Sequence, residues 1–216
     1  MKKLLSIAMC LCLAFSIVGC DKEDNPDNGG NNNGGNNGGN NNGTSTEKTY
    51  SIGDYYNVGG VKGIVYKITN GGKNGKIISM DKGANLAWHS HDGNGYFLVG
   101  ASSLVNGKVN MEAIKACDLP LSDFPIFKWC EDKNTGGVTG WYLPSWDEAL
   151  EIAKSYQVLQ TSLQSNGGST FSSNYVWSSS EKDDDEAYYI DMKNKDSDKH
   201  WKNFSDGFDA RAIKEF

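Results

Sequence analysis

Apolar and polar positions fall into distinct blocks along this chain. An apolar run at residues 4–18 follows Met1, Lys2 and Lys3. Residues 25–43 then hold almost nothing but Asn and Gly, with no aromatic and no β-branched side chain. Beyond about residue 50 the pattern is that of a globular domain. Two β-rich runs, 61–68 (VKGIVYKI) and 76–80 (KIISM), flank the turn-forming stretch 70–75 (NGGKNG) and predict a hairpin. A short apolar run follows at 96–99. Helical spacing comes next. Met111, Ala113, Ile114 and Cys117 follow a capping Asn110 and stop at Pro120, and 124–130 is a second helical stretch. Ser145 and Glu148 form an S-x-x-E capping box, after which Trp146, Ala149, Leu150 and Ala153 define a buried helix face. Strands return at 175–178, 187–192 and 210–213. Strands, then helices, then strands predict an α+β domain, its terminal strand returning to the sheet beside the first.

The polar–apolar pattern also divides the chain into three parts. The run 4–18 is shorter than the roughly 20 residues of a membrane-spanning helix and has the proportions of a signal-peptide hydrophobic region. Behind it, Ile17-Val18-Gly19-Cys20 resembles the lipobox of bacterial lipoproteins, which implies a signal peptide at 1–19 and a lipid on Cys20. Asp21-Lys22-Glu23-Asp24 is similar to the surface-export signal of Bacteroidota lipoproteins. That resemblance implies a protein held in the outer membrane by its lipid alone and exposed at the cell surface. Residues 20–47 then form a tether too poor in apolar surface to offset its ordering entropy. Residues 48–216 form the domain.

Charge and cysteine usage narrow the function. The chain carries −6, and losing Lys2 and Lys3 with the leader takes it to −8. That balance argues against nucleic acid as a partner, since its recognition uses basic patches. Cys10 and Cys12 lie in the leader and Cys20 takes the lipid. Cys117 and Cys130 remain, and both readings of them stand: a disulfide favoured outside the cytoplasm, or two separate thiols. Neither has an identifiable base beside it, and no hydrolase, metalloprotease or phosphate-cradling motif is present. His89, His91 and Asp92 could share a strand face and hold a metal, but the local sequence WHSHDG reads as a polar loop. Asp183, Asp184, Asp185 and Glu186 supply oxygens of the kind calcium takes, and read as a solvated turn. No enzyme activity, metal or cofactor is expected.

Three landmarks stand in order: Gly140-Trp141-Tyr142-Leu143-Pro144-Ser145, Tyr175-Val176-Trp177-Ser178-Ser179-Ser180-Glu181, and Arg211-Ala212-Ile213-Lys214. Together with Gly59-Gly60-Val61-Lys62-Gly63-Ile64-Val65-Tyr66, they resemble the Lcl C-terminal domain family over nearly all of the domain. The resemblance implies a C-type-lectin-like fold: an antiparallel sheet, two or three helices and long loops. It also implies an exported, adhesin-like module. Tyr142 and Lys214 stand where that family has arginines, so roles tied to those arginines do not carry over. From the residues themselves, Trp141 and Trp177 are core, and Ser178, Ser179 and Ser180 bond to backbone. In that fold ligands meet the loops near the chain's end. There Trp201, His200 and Phe204 sit with Asn203 and Phe208 on the polar stretch 196–208, where aromatics supply contact area at low entropic cost. Alternation allows one of Tyr188 and Tyr189 to join them, and Tyr188 is taken with the set. The expectation is a ligand-binding module for a glycan or protein. The alternatives are a structural component of a surface complex and, further off, an enzyme of formylglycine-generating type.

Overall fold

The structure, a computed structural model, describes residues 48–90 and 98–216. The signal peptide, Cys20, the tether, His91 and Asp92 lie outside the described residues. Four strands form a first sheet. They are β1 (Tyr55–Val58), β2 (Val61–Thr69), β3 (Asn74–Ser79) and β9 (Ile213–Glu215), in the order β1-β2-β3-β9 and all antiparallel. The expected hairpin is β2–β3. Its turn needs glycine at position 72, where φ is 88° and a Cβ would lie 2.4 Å from the Tyr50 carbonyl oxygen. The final strand pairs with β3, beside the first strands, as the block pattern predicts.

A second sheet holds β4 (Gly83–Ala84), β8 (Phe208–Ala210), β5 (Tyr175–Glu181), β6 (Glu186–Asp191) and β7 (Asp196–Trp201), in that spatial order. Its pairs are antiparallel except β5–β8, which run parallel. This corrects the expectation of one antiparallel sheet, and the expected strand at 210–213 divides accordingly. β8 ends in the second sheet, the chain crosses at Arg211 and Ala212, and β9 joins the first. Asp196–Trp201, read as loop, is an edge strand instead. Its charged residues tolerate solvent at a sheet edge and hide its period in the sequence.

Four α-helices occur among the described residues: α1 (Gly107–Ala116), α2 (Pro125–Glu131), α3 (Trp146–Lys154) and α4 (Tyr156–Ser165). Helix α3 begins with the predicted capping box: Ser145 Oγ accepts the Glu148 amide and Glu148 accepts the Ser145 amide. Helix α1 is capped by Asn106, not Asn110. Asn110 lies inside the helix and fully buried. Its amide donates to the Ser103 carbonyl (2.8 Å) and to Ser179 Oγ (2.9 Å), which ties α1 to β5. Helix α4 was not foreseen. It buries Leu159 and Leu163, one helical turn apart, with Tyr156 packed beside the core and Val158 exposed.

The core lies between the sheets and helices. Trp88, Tyr66, Phe124, Phe127 and Trp177 are its largest apolar members, and Trp141 is buried with them. Cys117 and Cys130 are free thiols. The Cys117 Sγ turns back to the Ile114 carbonyl at the end of α1 (3.0 Å), whereas Cys130 packs in the core from α2. Glu148 joins the elements electrostatically. It accepts Lys76 Nζ (2.7 Å), Tyr142 Oη (2.9 Å) and the Gly107 amide (3.0 Å). At Tyr142, then, a hydroxyl and the neighbouring Lys76 ammonium meet this carboxylate.

Candidate functional site

Strand alternation places the side chains of β6 and β7 on two sides of the second sheet. On one side lie Tyr188, paired with Lys199, and Glu186, paired with Trp201. Helix α3 covers part of that side, its Trp146 ring 6.4 Å from Tyr188. On the other side lie Tyr189, paired with Asp198 and with Trp177, and His200, paired with Ala187. This side carries a cluster of six aromatic rings.

Phe208 is the centre of that cluster. Its ring stacks on Trp177 (4.5 Å, 22°) and meets Tyr189 edge-on (4.9 Å). Tyr175, His200 and Phe204 surround it at 5.5–5.6 Å. His200 also packs against Phe204 (4.1 Å), and Tyr175 against Tyr189 (5.2 Å). Trp177 and Phe208 form the buried floor, while Tyr175 is 41% and Phe204 36% exposed. The parallel β5–β8 pairing creates this geometry by setting Tyr175 directly beside Phe208. Two polar atoms in the cluster, Trp177 Nε1 and His200 Nδ1, are buried without a hydrogen-bond partner. Such an atom costs about 1–3 kcal/mol, and both are sealed beneath the exposed rings.

The four expected ligand residues therefore divide. His200 and Phe204 belong to the aromatic cluster. Trp201, 60% exposed, stands at the edge facing the other way, where it lines a shallow cleft of about 250 Å³ with Glu186, Lys199 and His200. Tyr188 turns to the α3 side, so Tyr189 takes the place in the cluster that was assigned to it. Phe208, at the end of the same polar stretch, is their centre, and Tyr175 and Trp177 join without having been foreseen as neighbours. Only the aromatic pattern Y-x-W on β5, read with a strand period, signals part of the group.

Lys202 organises the loop beside this site. Its ammonium is buried and reaches Glu181 Oε2 (3.0 Å), the Asp183 carbonyl (2.7 Å) and the Asp184 carbonyl (3.1 Å), over the Trp88 ring. Glu181 also accepts the amides of Val99 (3.1 Å) and Gly100 (2.7 Å). The acidic residues 183–185 form a bend that leads into β6, closed by Asp183 Oδ1 accepting the amides of Asp185 and Glu186. Its inward oxygens hold a lysine ammonium. No group of three metal-ligating side chains occurs among the described residues. His89 is buried against Phe124.

The other expected chemistry is absorbed by structure. Ser178 and Ser180 donate to the carbonyls of Tyr188 (2.9 Å) and Ser103 (2.7 Å). Burial pushes the Cys130 thiol well above the ordinary thiol range, the opposite of what a nucleophile needs. A cleft of about 670 Å³ is lined by Lys67, Lys76, Glu148, Glu151 and Lys154 among others. Its central charges pair with each other, Lys67 with Glu151 and Lys76 with Glu148, both at 2.7 Å.

No family model matches the chain, and none of the curated proteins is significantly similar to it. Among solved structures, it is similar to the crystal structure of a fimbrial protein from Bacteroides ovatus. The TM-score is 0.46 and the identity 18%, over 66% of this chain and 36% of that one. The chain spans about a third of that protein's length.

Proposed function

We propose that this protein is a lipid-anchored binding module displayed at the outer surface of the outer membrane, with its ligand face on the aromatic side of β5, β6 and β7. The observation that carries this reading is the cluster around Phe208: the part-exposed rings of Tyr175 and Phe204 over a buried floor of Trp177 and Phe208. Aromatic rings of this kind stack on sugars and anchor protein interfaces, so the ligand is a glycan or a protein. Cys20, the Asn/Gly-rich tether and the acidic residues after Cys20 support the address. No helix among the described residues is long and apolar enough to cross a membrane. The three landmark motifs and the mixed α+β architecture support membership of the Lcl C-terminal domain family and a C-type-lectin-like fold. The module binds and does not catalyse, a reading supported by the buried, poorly ionised Cys130 and the serines bonded to carbonyls.

The test is an array of glycans and surface or matrix proteins, probed with the full-length protein in detergent beside Tyr189→Ala and Trp201→Ala variants. Loss of a hit in Tyr189→Ala places the ligand on the Phe208 cluster. Loss in Trp201→Ala alone moves it to the neighbouring cleft. A hit unaffected by either variant refutes the assignment of the site.

A further inference from the structure

Three carboxylates edge the aromatic face. Asp198 pairs across the strands with Tyr189, and Asp196 with Asp191, so all lie on its side of β6 and β7. None takes part in an ion pair among the described residues. Of the lysines beside them in sequence, Lys199 crosses to Glu186 on the opposite side (2.5 Å), Lys195 lines the cleft of Lys67 and Glu151, and exposed Lys193 makes no ion pair among the described residues. Asp191 is committed to its turn, accepting the amides of Lys193 and Asn194 and the Asn194 side chain. Asp196 and Asp198 each use only Oδ1, which accepts the amide of the following residue at 2.8 and 2.9 Å. Their second oxygens have no partner among the described residues. The local field is negative: the Tyr189 hydroxyl is held above its ordinary pKa by burial, then by Asp198, Tyr175, Asp191 and Asp196.

Strand β7 is the sheet edge, with β6 its one neighbour. An open edge invites a further strand, but here the amides of Ser197 and Lys199 already donate to Asp196 and Asp198. That capping disfavours backbone pairing and leaves recognition to side chains. Asp196 and Asp198 are exposed and two strand residues apart, roughly 6.6–6.8 Å along β7. Alternate side chains of another extended chain have the same spacing.

We infer that the aromatic face takes a basic segment of a partner polypeptide, extended and carrying lysine or arginine at alternate positions. Its cations lie over the rings of Tyr175 and Tyr189 and meet Asp196 and Asp198. Cation–π attraction and free carboxylates act on the same ligand groups. This inference rests on the proposed binding face and specifies what that face selects.

The probe is a fluorescent alternating Lys-Ser decapeptide, titrated by anisotropy into the full-length protein in detergent. Its Glu-Ser counterpart and a deacetylated chitosan oligomer are compared. The expected result is binding of the Lys-Ser peptide alone, weakened by added salt. An Asp196→Asn, Asp198→Asn double variant keeps both amide acceptors and removes both charges. It should bind about tenfold more weakly, the effect of losing two exposed charge pairs. Glu112→Gln removes an exposed charge on α1 and should change nothing. Equal weakening by Glu112→Gln, no weakening in the double variant, or preference for the chitosan oligomer overturns the inference. If the aspartate variant is silent while Tyr189→Ala abolishes an array hit, the face stands and its basic partner does not. If neither substitution affects any binding, both readings fall.

Discussion

Replacing Lys202 with methionine should destabilise the domain more than any surface change, because its ammonium is the counter-charge of a sealed site. The Lys202 and Glu181 side chains are 3% and 1% exposed, and the ion pair between them is 3.0 Å long. Methionine has nearly the same length, so packing over Trp88 survives. The Glu181 carboxylate then stays buried with only the Val99 and Gly100 amides, and the Asp183 and Asp184 carbonyls lose their donor. Breaking a buried pair from one side costs about 3–5 kcal/mol, a large part of the 5–15 kcal/mol typical of a domain. At about 2–4 °C per kcal/mol for this size, the melting temperature should fall by roughly 6–20 °C. Urea unfolding followed by tryptophan fluorescence measures it, and adding Glu181→Gln tests the partner. If the two groups act as a pair, the double variant is more stable than additivity predicts by about 0.5–3 kcal/mol. A loss under about 1 kcal/mol in Lys202→Met, or strict additivity, would mean water reaches the ammonium and the site is not sealed. EDTA should leave the wild type unchanged, since Lys202 fills the place among these oxygens; a drop in its melting temperature would mean a metal ion supports the loop instead.

Phe208→Ala should cost about 3–5 kcal/mol through the cavity it opens beneath five other rings, whereas Trp201→Ala, at an exposed position, should stay within about 0.5 kcal/mol. Equal effects in urea unfolding would refute the division into floor and edge. Glu148 gives a pH signature. Burial alone would raise its pKa, but the bonds from Lys76, the Ser145 amide and Tyr142 win and hold it below its usual 4.5. A carboxylate depressed in the folded state contributes stability above its unfolded pKa and loses it as pH falls through the folded one. The stability gap between wild type and Glu148→Gln should therefore be full at neutral pH and close on acidification below about pH 4.5, as urea midpoints at each pH would report.

What could be read from the sequence was local. The β2–β3 hairpin announces itself through β-branched runs around Asn and Gly, and α3 through Ser145 and Glu148, three residues apart. Asn106 and Asn110 are both plausible caps by residue type. The choice between them depends on Ser179 and Ser180, which lie about 70 positions away and draw Asn110 inward. Helix α4 hides because two leucines are all its core requires, and β7 because an edge strand is mostly charge. The aromatic site was half visible for the same reason. His200 and Phe204 stand close together in the chain, so they could be grouped. Phe208 stands in the same stretch, but Tyr175 and Trp177 meet it only through a parallel pairing between strands some thirty residues apart, and no local period encodes that.

The crossing between the sheets links the aromatic face to the rest of the molecule. Arg211 is fully buried, and burial pulls its guanidinium down to about 10, still protonated at neutral pH. It donates to carbonyls of Ser79 (3.1 Å), Asp81 (2.8 Å) and Ser169 (2.9 Å) and lies over Phe171 (4.4 Å). Those acceptors leave β3 and α4, so one cation fixes the exits of both against the point where β8 becomes β9. Phe208 lies three residues upstream of that point. Its position at the centre of six rings is therefore set from the first sheet through a buried clamp, and not by the second sheet alone. An aromatic face held this way is pre-ordered before any ligand arrives. A rigid face loses little further entropy on binding, which suits the proposed binding role, where contact would fall to exposed rings and individually weak charge pairs.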